Sequence, residues 1–106
     1  MKQFKIGVMV DSFRLEIREG IQKAAEIGAE GIQIYATSGE MAPQNLNVAK
    51  RKEILDRIKS NGLVVSAICG DLGGHGFAVA ADNARRIEQS KRIMDLAKDL
   101  ETDVVT

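Results

Sequence analysis

Two kinds of stretch alternate along this chain. Short apolar runs rich in β-branched residues are separated by longer stretches in which apolar positions recur every three or four residues. "FKIGVMV", Phe4 to Val10, is nearly unbroken in its apolar character and predicts a strand buried on both faces. Ile17, Ile21, Ala24, Ala25 and Gly28 then follow helical spacing. Ser12 stands where an N-cap belongs, and Gly28 where a helix would end. "GIQIYA", Gly31 to Ala36, predicts a second strand. "TSGEMAPQNLN" reads as a loop around Pro43, with Asn45 or Asn47 placed to cap a second helix. That helix carries the stripe Val48, Arg51 (by its aliphatic stem), Leu55, Ile58 and Gly62, with Ile54 beside it, and "NG" at 61–62 stops it. "LVVSAI" is a third strand. A third helix from about Asp82 to Leu100 has its apolar face built from Ile87, Met94 and Ala97, widened by Ile93, Leu96 and Leu100, and "TDVVT" is a fourth strand.

These pieces form a weak repeat. "AAEIGAEGIQI", "RIKSNGLVVSAI" and "DLAKDLETDVVT" each join the last turn of a helix, a polar break and a β-branched run. Strands begin near residues 6, 32, 64 and 104, the pitch of βαβ units of ~30 residues or more. Two α/β architectures fit: a doubly wound sheet and a (β/α)₈ barrel. An open parallel sheet of this size would leave long apolar edges. A barrel typically takes ~250 residues. Residues 1–106 therefore read as one domain, about the first three and a half of the eight (β/α) units of a TIM barrel. The expectation is that the chain either lacks a C-terminal half or completes itself as a homo-oligomer.

In a barrel the helix-facing side of each strand must be apolar. Ile32, Ile34 and Ala36 share one face, which sends Gln33, Tyr35 and Thr37 towards the interior. Gly7, Met9 and Asp11 would face inward by the same logic. The third strand is apolar or small on both faces, so its phase stays open.

Charge narrows the function. Lys plus Arg and Asp plus Glu both count 15, so the net charge is zero. A nucleic-acid partner, which usually demands a basic excess, is not expected. The bases in "KRKEILDRIK" and "RRIEQSKRIMDLAK" are interleaved with acids and read as solvated helix faces. One cysteine forms no internal disulfide. The N-terminal lysines precede an apolar run that meets Asp11 too early for a secretory leader. No window approaches the ~18 apolar residues of a membrane span. The chain reads as cytoplasmic, with no membrane partner.

The chemically densest stretch is "ICGDLGGHGF", Ile68 to Phe77. It holds the one cysteine (Cys69), the one histidine (His75) and four of the ten glycines. Gly70, Gly73, Gly74 and Gly76 do not give the G-x-G-x-x-G spacing of a dinucleotide site. No Gly-Lys-Ser/Thr of a phosphate loop occurs. Cys69, Asp71 and His75 are too few for a complete catalytic metal site. Cys69 has no base and orienting acid evident beside it, and Ser12 lacks a G-x-S-x-G elbow. His75 as one member of a site finished elsewhere and His75 as a plain loop residue both stay open.

Position says more than residue type, because α/β folds bind ligands at the carboxyl ends of their strands. Those ends are Asp11-Ser12-Phe13, Tyr35-Ala36-Thr37, Cys69-Gly70-Asp71 and Thr106. Asp11 and Ser12 read equally well as helix caps, and Tyr35 as a half-buried wall.

The order "KIGVMVDSF", "AAEIGAEGIQIY", "IKSNGLVVSAICGDLG" resembles the opening of the xylose-isomerase-like sugar phosphate isomerase/epimerase barrels. That superfamily also holds AP-endonuclease-like and inosose-handling enzymes. The resemblance implies a small-molecule sugar or sugar phosphate as substrate. It also implies a divalent metal ion (Mn, Mg, Co or Zn) as Lewis acid and template. Carboxylates would then move a proton through an enediolate. The family's metal ligands and catalytic carboxylates lie on later strands, so no catalytic or metal residue is assigned here, and no cofactor or turnover is expected of this chain alone. A substrate wall of Asp11, Tyr35, Cys69, Gly70 and His75 carries over. Gln33 stands where the family often has an acid, which removes support for acid/base chemistry at that strand. The alternatives are a non-catalytic, self-associating half-barrel and an AP-endonuclease-like metal hydrolase.

Overall fold

A computed structural model describes residues 4–106; Lys2, used in the reading of the N-terminus, lies outside them. The elements run β1 (Gly7–Met9), a 3-10 turn (Val10–Phe13), α1 (Ile17–Glu26), β2 (Gly31–Tyr35), two 3-10 turns (Gly39–Met41 and Pro43–Asn45), α2 (Val48–Ser60), β3 (Val64–Cys69) and α3 (Ala80–Asp99).

The strands are parallel and lie side by side in chain order. The chain returns to the sheet at its end: Ile68 N donates to Val104 O at 2.9 Å and Thr106 N to Ile68 O at 2.9 Å. "TDVVT" is thus a short fourth strand, bridged in parallel at Ile68 and Val105. A doubly wound sheet reverses its strand order and takes helices on both faces. Here the order never reverses, and one buried cluster joins Ile21 and Ala24 of α1, Ile54 and Ile58 of α2, and Ile93 and Leu96 of α3 to Ile32, Ile34, Val65 and Ile68. Each isoleucine, leucine or valine side chain among them contributes about 1.5–3 kcal/mol on leaving water. On the other face Tyr35 is 42% and Val64 63% exposed. A sheet with its helices on one side is a segment of a (β/α) barrel, as the repeat predicts.

β3 resolves the ambiguous phase by breaking it. Ile32 pairs with Val65, but Gln33 pairs with Ala67, so β3 carries an extra residue. Val65 and Ile68, three apart, are consequently both buried. Ser66, in the bulge, donates its hydroxyl to Ile32 O at 3.0 Å.

Several boundaries differ from the pattern. β1 is shorter than Phe4 to Val10, and Phe4 and Ile6 are exposed. The strand has β2 on one side and no neighbour on the other, so its ladder is short. Ser12 does not cap α1. A 3-10 turn ending on Arg14 in left-handed backbone (φ 57°) stands between strand and helix, and Glu16 caps instead, accepting from Glu19 N at 3.0 Å. Gly28 does hold the position past the helix end, with φ 87°. Asn47 caps α2, accepting from Lys50 N at 2.8 Å. Val48 leaves the predicted stripe and is 83% exposed. On α3 the buried side is Arg86, Ile93, Leu96, Ala97 and Leu100, while Ile87 and Met94 are each 48% exposed. Rotation of the helix about its axis separates the two sets.

Polar clamps join the helices. Arg18 meets Glu53 across α1 and α2 through two bonds, Nε to Oε1 at 2.9 Å and Nη2 to Oε2 at 2.8 Å. The hydrogen bonds from Arg18 hold the Glu53 carboxyl below its ordinary value of 4.5 and raise the guanidinium in turn. Arg51, read from the sequence for its stem, works through its head. It donates to Leu46 O, Pro43 O and Asp99 Oδ2, at 2.9, 3.0 and 2.9 Å.

Candidate functional site

The carboxyl ends of the strands gather most of the sequence-derived wall. Asp11 lies in the 3-10 turn after β1, and its Oδ2 accepts from Tyr35 N at 2.9 Å. Tyr35 ends β2 and stands in register with Cys69, the last residue of β3. Cys69 is a free, half-buried thiol whose carbonyl accepts from Ala36 N at 3.0 Å. Gly70 follows and donates its N–H to Thr106 O at 2.8 Å, which fixes the fourth strand beside it. A side chain there would meet Val105 Cγ1 at 3.0 Å and Ile93 Cγ2 at 3.2 Å, so a larger residue would fit only if these neighbours gave way.

His75 lies apart from this group. It is exposed in the turn of the glycine stretch, and its carbonyl accepts from Ala78 N at 3.2 Å. Asp71 Oδ1 is occupied by Gly73 N at 2.8 Å, an Asx-type turn that shapes the loop.

Beneath this loop opens a cleft of about 450 Å³ between the end of β3, the fourth strand and α3. Gly70, Asp71, Phe77, Arg86, Ser90 and Thr106 are among its lining residues. Arg86 was read with its neighbours as part of a solvated basic face, yet it is 9% exposed. One signal marks it in the sequence: it falls on the stripe of Ile93, Ala97 and Leu100, where an arginine is out of place.

The divalent ion implied by the resemblance finds no home in these residues. Among the described residues no group of three or more His, Cys, Asp or Glu side chains stands close enough to hold a metal.

The sequence profile of the xylose isomerase-like TIM barrel family matches residues 21–106. The chain belongs to that family. No curated protein matches it. Among solved structures it resembles the probable 3-DHS dehydratase AsbF, involved in petrobactin synthesis, from Bacillus anthracis. The TM-score is 0.72 at 25% identity, over 96% of this chain and 37% of that one. It also shares its fold with a xylose isomerase domain protein from Planctomyces limnophilus, with TM-score 0.71, 18% identity, and 96% and 40% coverage. The chain therefore spans well under half the length of either. The family includes enzymes, and one neighbour is a dehydratase rather than an isomerase. Among the described residues no helix is long and apolar enough to cross a membrane.

Proposed function

We propose that the protein is a sugar or sugar-phosphate isomerase or epimerase that moves a proton through an enediolate. In this reading residues 1–106 form the N-terminal wall of its barrel. The observation that carries the reading is the family match over residues 21–106, laid on strand ends that bring Asp11, Tyr35, Cys69 and Gly70 to one rim. Tyr35, on the sheet face away from the helices, offers a phenol to a hydroxylated ligand. Asp11 holds the rim in register through Tyr35 N. Gly70 lets the loop backbone approach. The divalent ion and the carboxylates that handle the proton belong to strands beyond these residues, supplied by further polypeptide or by a second copy. The partner is a small polyhydroxylated molecule in a cytoplasmic setting.

A second reading, a dehydratase acting on a hydroxylated carbonyl compound, is favoured by the 25% identity to the Bacillus anthracis protein. Elimination of water beside a carbonyl opens with the same removal of a proton, so one experiment covers both. The natural gene product, supplied with Mn²⁺ or Mg²⁺, is incubated in D₂O with aldoses, ketoses and their phosphates. Isomerisation with deuterium gained next to the carbonyl is the expected result. Loss of water in its place moves the assignment to the second reading. Cleavage of abasic DNA without either reaction overturns both.

A further inference from the structure

Arg86 is a buried cation that meets no counter-ion among the described residues. Its side chain lines the cleft under the glycine loop, and its Nε is shielded from solvent with no hydrogen-bond partner. Among the described residues it forms no ion pair. The exposed neighbour Arg85, in contrast, pairs with Asp82 at 3.5 Å. Asp71 lines the same cleft and accepts from Gly73 N through Oδ1, and no ion pair joins its carboxylate to Arg86. One turn earlier on α3, the side-chain oxygen of Asn83 is also buried and unpartnered.

A guanidinium does not shed its charge at any physiological pH. Burying it unpaired is costly, and the structure would normally supply a carboxylate. Instead the loop is shaped to lie on it. A Cβ at Gly74 would stand 2.8 Å from Arg86 Nη2, the movable tip of that side chain, so the loop lies close over the guanidinium; the φ of +67° at Gly74 is what favours glycine there. The rest of the cleft is largely apolar, with Phe77, Ile93 and Met94, and Ser90 and Thr106 are its hydroxyl-bearing residues.

We propose that Arg86 anchors the anionic group, carboxylate or phosphate, of a small ligand in this cleft. The guanidinium fork donates parallel hydrogen bonds to two oxygens of such a group. The proposal deepens the functional reading by naming the charge of the substrate. It is tested by binding without turnover, so its failure and that of the reaction assay are separate events.

Calorimetry on the natural gene product with inorganic phosphate and with tartrate is the test. Wild type is expected to bind at least one of them, and which one identifies the anionic group. Arg86→Gln weakens that binding at least about tenfold, the size of one lost charge-assisted hydrogen bond. Arg85→Gln, which removes the same charge from the exposed position, leaves it unchanged. Should Arg86→Gln fail to fold, the Nε–H resonance of Arg86 in wild type, assigned through its own side chain, is followed during titration and is expected to shift. Absence of binding by both probes, equal binding by Arg86→Gln, or a resonance that does not move overturns the proposal.

Discussion

Asp11 accepts a hydrogen bond from the backbone N–H of Tyr35 at 2.9 Å, and so ties the end of β1 to the end of β2. β1 is a strand of three residues with a neighbour on one side, so a bond beyond its last pair extends a weak ladder. Removing the acceptor with Asp11→Ala is expected to lower stability by about 1 kcal/mol. Asp11→Asn retains an oxygen and most of that stability. Urea denaturation measures both. A variant as stable as wild type but unable to bind substrate would instead place the Asp11 carboxylate on the ligand.

Gly20 of α1 fits against Val10. A Cβ at this position would stand 2.4 Å from Val10 Cγ1, and Val10 is buried. Alanine in a helix gains ~1 kcal/mol over glycine, whereas overpacking a core costs about 1–3 kcal/mol. A branched valine side chain has little room to swing away, so the packing loss dominates. Gly20→Ala is expected to lower the melting temperature, and Gly20→Ala with Val10→Ala to recover part of the loss.

Arg51 holds the loop before α2 against α3 through two carbonyls and Asp99. Lysine brings a point charge in place of the planar fork and cannot reproduce all three directions. Arg51→Lys is expected to destabilise by about 1.5–3 kcal/mol, the range for a hydrogen bond to a charged group. Arg51→Met keeps the stem and loses at least as much. Equal stability of Arg51→Met and wild type would restore the stem-packing role read from the sequence.

Glu53 titrates below its ordinary value because Arg18 hydrogen-bonds its charged form. A carboxyl depressed in the folded state adds stability that is full above the unfolded value and is lost as pH falls through the folded one. Glu53→Gln is therefore expected to be less stable than wild type at neutral pH. The gap closes as the medium is acidified below pH 4.5, the ordinary value of this group. Both side chains are about two-fifths exposed, so added salt should shrink the difference. A gap that persisted unchanged into acid would assign the loss to packing.

The strands and helices were legible because burial imposes its period on the chain. Ile32, Ile34 and Ala36 alternate as predicted and are buried together. Asn47 caps α2 and Gly28 follows α1 because short-range backbone geometry selects those residue types. The rim residues Asp11, Tyr35, Cys69 and Gly70 were legible by place, since each lies at the end of an apolar run. The bond between Asp11 and Tyr35 was not, because the two are far apart in sequence.

What the sequence determined by itself is the succession of strand and helix, and with it a parallel sheet, for period and caps are local properties. The apolar edges an open sheet would leave favour the barrel over a doubly wound sheet; the tertiary structure alone shows that the helices lie on one face. The same holds for the bulge that turns Ala67 away from Val65, for the rotation that exposes Ile87 and buries Arg86, and for the cleft under Gly74. Each depends on contacts between distant segments, and a chain read residue by residue contains no record of how far a packed helix turns to meet its neighbour.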